Sequence, residues 1–182
     1  MNSLPSTPCY LNGAFTPLCD AKISVMDRGF IFGDGIYEVV PVYNGRPFRF
    51  AQHMARLERS LVEMRMANPH TREQWLGIAM GLIGHGAKAE GVAPDTLNQL
   101  VYIQVTRGVA MRDHVMPTDI EPTVFAMANV MRPPTQEQLE NGVACVTADD
   151  FRWEKAHIKS TSLLGSVFAR QISFDAGAIE TV

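Results

Sequence analysis

The sequence predicts an α+β fold in two lobes, and three observations carry that prediction. Two Asn-Gly pairs, Asn12-Gly13 and Asn44-Gly45, are flanked by strand-forming residues and read as two-residue hairpin turns with positive φ at both centres. Apolar residues then recur at helical spacing over 51–66 and again from Thr71 onward. Finally, prolines bound 122–134, which marks a connection between a first lobe at 1–121 and a second at 135–182.

Each element has its own signal. Between the hairpins, Ile36 to Tyr43 alternates, with Tyr37, Val39, Pro41 and Tyr43 on one face and Ile36, Glu38, Val40 and Val42 on the other. Pro41 lacks an N–H for a ladder, which suggests an edge or a bulge. Along 51–66, Met54, Leu57, Leu61 and Met64 form the apolar stripe, and Arg56, Arg59, Ser60 and Glu63 fall opposite. Thr71 and Gln74 have the spacing of a capping box, opening a helix that carries Trp75, Ile78 and Leu82 until Gly84, Gly86 and Gly91 weaken it.

Leu100 to Thr106 alternates as a half-buried strand does, and a polar loop, Arg107 to Pro117, follows. Thr123 to Val130 reads as another strand. Pro133-Pro134-Thr135 opens a short helix, and Val143 to Thr147 a further strand. Ser160 to Gly177 carries Leu163, Leu164, Val167, Phe168, Ile172 and Phe174 with few charges, which predicts a largely buried helix. Ala178 to Val182 resembles the opening of a strand whose edge would lie unpaired.

With 46% hydrophobic and 19% charged residues, 182 residues are enough for a globular core. A net charge of -3 without a basic run gives no footprint for nucleic acid or an anionic membrane, so the expected partners are small molecules. Cys9, Cys19 and Cys145 are too scattered for a disulfide framework, and their spacing offers no metal site. No stretch has the pattern of a signal peptide or the length of a membrane span, so the expected location is cytoplasmic.

One lysine stands out. Lys159 lies in the run from Phe151 to Gly165, where an extended segment gives way to a helix. A lysine fixed there could form a Schiff base if burial, or cations such as Arg152 and Lys155, lowered its pKa from about 10.4. Taken alone, these residues leave other roles open: Lys159 and Arg56 as solvated cations, Tyr37 as a packing residue, and Arg112-Asp113-His114 as a charged loop.

The order of motifs narrows the choice. Asp27-Arg28-Gly29-Phe30-Ile31-Phe32-Gly33-Asp34-Gly35-Ile36-Tyr37-Glu38-Val39 is followed by Tyr43-Asn44-Gly45 and His53-Met54-Ala55-Arg56-Leu57. Gln104-Val105-Thr106-Arg107-Gly108, Arg112-Asp113-His114 and Ile158-Lys159-Ser160 come after them. In these motifs the chain resembles the fold-type IV pyridoxal-phosphate enzymes, the class IV aminotransferases, and within them the D-amino-acid aminotransferases.

That resemblance implies a class IV aminotransferase-like two-lobe α+β fold with a complete N-terminal α/β lobe and a truncated β-rich C-terminal lobe. It implies pyridoxal 5'-phosphate as cofactor, with Lys159 forming the Schiff base and moving the substrate proton, and Arg56 binding the phosphate. Tyr37, Arg112 and His114 would hold the substrate carboxylate, Tyr102 would line the same pocket, and Arg152 would stand near the lysine. The loop bearing Arg112 and His114 would reach a neighbour's site, which implies a homodimer.

The implied reaction is amino transfer between a D-amino acid such as D-alanine and a 2-oxo acid. In the family the second lobe runs on past the position of Val182 and supplies a carboxylate to the pyridine nitrogen, a role not assigned to Glu180. The expectation is therefore a fragment of a longer enzyme or a natural truncation. The alternatives are an inactive relative acting only through dimer contacts, a branched-chain L-aminotransferase, and an aminodeoxychorismate lyase.

Overall fold

A computed structural model describes residues 4–149 and 157–182. These fall into two compact units: the described residues through Met131 together with Ile158–Thr161, and the described residues of Arg132–His157 together with Ser162–Val182. The stretch around Lys159 thus clusters with the first unit, although it follows 122–134 in sequence.

In the first unit a six-stranded antiparallel sheet has the order β2-β1-β6-β5-β3-β4. The strands are β1 (Pro8–Leu11), β2 (Ala14–Pro17), β3 (Gly35–Tyr43), β4 (Arg46–Pro47), β5 (Gln99–Thr106) and β6 (Thr123–Val130). Both expected hairpins form, with φ of 47° and 99° at Asn12 and Gly13 and 49° and 73° at Asn44 and Gly45. Such turns match the right-handed twist of the strands they join.

The helices are α1 (Arg28–Phe32), α2 (Phe50–Glu63) and α3 (Arg72–Ala89). The capping box at α3 is reciprocal: the Gln74 N–H donates to Thr71 Oγ1 at 3.3 Å and the Thr71 N–H to Gln74 Oε1 at 2.7 Å. One sheet face, built from Ile36, Val40, Val42, Val101, Ile103 and Val105, packs on Met54, Leu57 and Leu61 of α2 and Trp75, Leu82 and Ile83 of α3. Ser60, expected on the polar side of α2, is buried instead, because it lies three residues after Leu57 and so shares the face of the apolar stripe.

The edge of β3 is used twice, and this positions the rest. At one end Val42 and Tyr43 pair with β4; at the other, Ile36 bridges Ser160 in antiparallel fashion. The Tyr37 N–H donates to the Lys159 carbonyl at 2.9 Å, and the Thr161 N–H to the Gly35 carbonyl at 2.9 Å. Pro41 faces the same edge: its carbonyl accepts from the Phe48 N–H at 2.8 Å, and with no N–H to return the bond the pairing with β4 ends there.

Gly108 closes the base of the 107–117 loop at φ +107°, and a Cβ built there would collide with the Glu121 carbonyl oxygen. Backbone cannot yield as a side-chain tip can, so Gly108→Ala is expected to cost about 1–3 kcal/mol. A denaturant midpoint equal to the parent's would refute that reading of the turn.

The second unit holds α4 (Gln136–Asn141), α5 (Leu164–Asp175) and a two-stranded parallel pair, β7 (Cys145–Val146) and β8 (Glu180–Thr181). The expected strand at 143–147 is thus two residues long, and the strand end at 178–182 is paired rather than open. The expectation of a largely buried helix is corrected. Leu164, Val167 and Phe174 are exposed, and among the described residues of α5 only Ser173 is buried. Two short strands and a six-residue helix offer too little surface to cover it.

Candidate functional site

The face of the sheet opposite the core carries the first group. By alternation Tyr37 on β3 and Tyr102 and Gln104 on β5 point the same way, with Gln104 directly across from Tyr37. The Tyr37 and Tyr102 rings stack at 5.7 Å and 26°. The Tyr102 hydroxyl donates to Gln104 Oε1 at 2.7 Å. Burial pushes the Tyr102 phenol up to about 12, with Tyr37 adding to the rise, so it stays a proton donor at neutral pH.

Lys159 completes this group. Its Nζ stands 3.8 Å from the centre of the Tyr37 ring, a cation–π geometry. Backbone and side-chain bonds fix the segment that delivers it: the two β3 ladder bonds, and the Thr161 hydroxyl, whose one proton lies between the Gly33 and Gly35 carbonyls at 3.1 and 3.2 Å. A cavity of about 250 Å³ opens on the same face, bounded by Gln104, Thr106, Phe125 and the apolar Leu11, Leu18 and Ile23.

Arg56 reaches toward β3 from α2 and meets Glu38. Arg56 Nε donates to Glu38 Oε2 at 2.7 Å, and Nη2 donates to Oε1 at 2.5 Å. Glu38 is wholly buried in the middle of an apolar strand face; it also accepts from the Val39 N–H at 2.9 Å and lies 3.2 Å from His53 Nδ1. A buried charge survives only when paired and hydrogen-bonded. Burial pushes the Glu38 carboxyl up, but the hydrogen bonds from Arg56, Val39 and His53 and the Arg56 charge outweigh it and hold it below the ordinary value. The Arg56 side chain remains 42% exposed, and Nη1 makes no hydrogen bond among the described residues.

Glu38 and His53 are the partners that sequence reasoning did not single out. The signal was present: a carboxylate alternating into an apolar face, with His53 and Arg56 three residues apart on one side of a helix.

The loop after β5 forms a separate group around Phe32 of α1. The Arg112 guanidinium carbon is 5.5 Å from the Phe32 ring centre, and the His114 ring is 5.4 Å from it. Both side chains are exposed. Among the described residues, no hydrogen bond, ion pair or ring contact joins Arg112 or His114 to Lys159, Tyr37 or Tyr102. Arg152 lies outside the described residues.

Beneath that loop is a buried ion cluster. Asp34 accepts from Arg28 Nε at 2.7 Å and from Arg107 Nε and Nη2 at 2.8 and 3.0 Å. Arg107 Nη2 also donates to the Met64 carbonyl at 2.7 Å, and Arg28 Nη1 to the Asp113 carbonyl at 2.6 Å.

Comparison with known proteins bears on the family and the fold. The amino-transferase class IV family matches residues 35–182. D-alanine aminotransferase of Staphylococcus aureus (strain MSSA476) is 38% identical over 174 residues, covering 95% of this chain and 58% of the relative. Among solved structures, the branched-chain amino acid aminotransferase from Escherichia coli is similar at TM-score 0.76 and 16% identity, over 97% of this chain and 57% of that one. The 4-amino-4-deoxychorismate lyase of Pseudomonas aeruginosa is similar at TM-score 0.71 and 25% identity, over 96% and 60%. The chain therefore spans about three-fifths of the length of the relatives it matches. With a family match running from the first residue of β3 through the lysine segment to Val182, this α+β chain belongs to the amino-transferase class IV family.

Proposed function

We propose that the chain serves pyridoxal 5'-phosphate-dependent amino transfer between a D-amino acid, such as D-alanine, and a 2-oxo acid, with Lys159 as the residue that bonds the cofactor. The observation that carries the proposal is the placement of Lys159 Nζ over the Tyr37 ring by a segment hydrogen-bonded to β3. The donor set fits the cofactor. Arg56 keeps Nη1 available for a phosphate oxygen while Glu38 fixes the other side of its fork.

Bound cofactor supplies an aldehyde to take up the amino group and a conjugated ring to delocalise the electron pair left when the substrate Cα loses its proton. The chain's own residues do the rest. Lys159 Nζ accepts and returns the proton, and the Tyr37 ring restricts where that amine can stand. Tyr102, held protonated and bonded to Gln104, braces Tyr37 from the side.

Arg112 offers a planar fork and His114 a further donor to a substrate carboxylate. Because both are exposed beside Phe32 and, among the described residues, share no contact with Lys159 of their own chain, we assign them to the site of a second copy in a homodimer. The preference for D-amino acids rests on this pair and on the D-alanine aminotransferase relatives; the likeness to branched-chain and lyase structures supports the fold alone.

Purified chain mixed with pyridoxal 5'-phosphate and then freed of unbound cofactor by gel filtration is expected to retain a visible absorption band and, with a 2-oxo acid present, to transfer the amino group of D-alanine faster than that of L-alanine. The absence of a band would refute the proposal, and a preference for L-alanine would move it to the branched-chain class. Arg112→Ala should keep the band while raising KM for D-alanine about tenfold or more, the worth of a charged hydrogen bond. An unchanged KM would remove Arg112 from substrate recognition.

A further inference from the structure

The 107–117 loop is exposed along most of its length, yet one buried side chain reaches into its middle. Val109, Met111, Arg112, Asp113, His114 and Val115 are all exposed. Loops of this kind are ordinarily the least ordered parts of a fold. Here Arg28, only 4% exposed, donates from Nη1 to the Asp113 carbonyl, the backbone group between the two residues assigned to carboxylate recognition.

Arg28 is itself held rigidly. Its Nε is bonded to Asp34, which also accepts two bonds from Arg107, and Arg107 is tied to the Met64 and Arg65 carbonyls at the end of α2. A planar guanidinium bound at Nε cannot swing its Nη1 freely, so the position of the Asp113 carbonyl is referred back to the core.

The Phe32 ring provides the second contact. The Arg28 guanidinium carbon lies 4.8 Å from its centre, that of Arg112 5.5 Å, and the His114 ring 5.4 Å. One ring therefore meets the anchor and both recognition side chains. The loop base is fastened as well, by the Arg28 N–H to the Gly108 carbonyl at 2.9 Å and by an antiparallel bridge between Asp27 and Val109.

We propose that Arg28 is a positioning residue for substrate recognition: through the Asp113 carbonyl and the Phe32 ring it sets where Arg112 and His114 stand, and so governs capture of the amino-acid carboxylate. This rests on the assignment of Arg112 and His114 made above. Arg28 touches no substrate itself.

The test uses amide exchange in the whole chain, which needs no cofactor, alongside kinetics. In Arg28→Met, Asp34 keeps its two bonds from Arg107, so the β3 and β5 amides should exchange faster only by the one common factor that the lost global stability sets. The Val115 amide, bonded to the Asp113 carboxylate at 3.1 Å, should exchange about tenfold faster. KM for D-alanine should rise about tenfold with kcat little changed. Arg28→Lys keeps the charge without the fork and should recover only part of the parent behaviour. Should Arg28→Met not fold, Phe32→Leu leaves the ion cluster whole and should loosen the loop in the same direction.

Unchanged exchange at Val115 in the folded variants would overturn the proposal. So would faster exchange with an unaltered KM in an enzyme whose Arg112→Ala variant does show a raised KM. If Arg112→Ala leaves KM unaltered, it is the recognition assignment that has failed, and faster exchange at Val115 still supports the anchoring by Arg28.

Discussion

Asp34→Ala is expected to lower the free energy of unfolding by about 3–5 kcal/mol, a large part of what a domain of this size has to lose. The reason lies in what remains. Arg28 and Arg107 are both nearly buried, and removing the carboxylate between them leaves two like charges facing each other with only backbone carbonyls and, for Arg28, the Phe32 ring as partners. Replacing a buried pair as a whole can be neutral; deleting one partner is not. Arg28→Met should accordingly cost less than Asp34→Ala, since Asp34 keeps Arg107. Urea midpoints at pH 7 for the three proteins would decide the order, and equal midpoints would rule out the account.

The same cluster sets a pH dependence. Burial raises the Asp34 carboxyl, but the hydrogen bonds and charges of Arg107 and Arg28 outweigh it, and it stands below its ordinary value. A carboxyl depressed in the folded state adds stability that is fully present above the unfolded pKa, about 3.9, and is lost as pH falls through the folded value. Glu38 acts in the same direction from an unfolded value near 4.3. The stability contributed by these two carboxyls should therefore hold steady down to about pH 5 and be lost steeply below about pH 4, while burial of the His70 imidazole, which lowers its pKa, costs stability already as pH falls below about 6.5. Asp34→Asn should start lower at pH 7 and decline less.

How much of this was legible in the sequence depends on how local each cause is. Both hairpins and the α3 cap were readable because Asn12-Gly13, Asn44-Gly45 and the Thr71–Gln74 pair carry their chemistry within four residues. The strands β3 and β5 were readable because burial on one face leaves a period of two. Helix α1 was not, since five residues are too few to show a helical period. The Asp34–Arg107 bond joins residues 73 apart, and nothing in either neighbourhood announces the other. Glu38 occupies a middle ground: alternation put it on one face with Ile36, Val40 and Val42, but nothing local said that this face is the buried one or that Arg56 meets it there. For α5 the apolar content was plain, but composition cannot say what surface covers a helix, and Leu164 and Val167 are exposed.

On the proposed function, Lys159→Ala is the substitution expected to affect chemistry most, and the way its segment is held makes it the one expected to disturb the fold least. The segment is held by backbone bonds from Tyr37 and Thr161 and by the Thr161 hydroxyl, none of which involve the lysine side chain. The side chain contributes a contact with the Tyr37 ring, worth about 0.5–1 kcal/mol. Melting should thus shift by no more than a few degrees. Amino transfer, by contrast, should fall by about 10⁴-fold or more, because proton transfer at a positioned base is itself worth 10²–10⁴ and the covalent attachment is lost with it. The visible band should disappear at the same time. Lys159→Arg keeps a cation over Tyr37 but has no amine to bond or to move a proton, so it should be as inactive as the alanine variant. Added methylamine should restore part of the rate to Lys159→Ala and none to Lys159→Arg, whose side chain fills the space the amine must enter. If Lys159→Arg retained near-parent activity, the lysine would be acting as a charge beside Tyr37, and its role as the bonding and proton-carrying amine would be wrong.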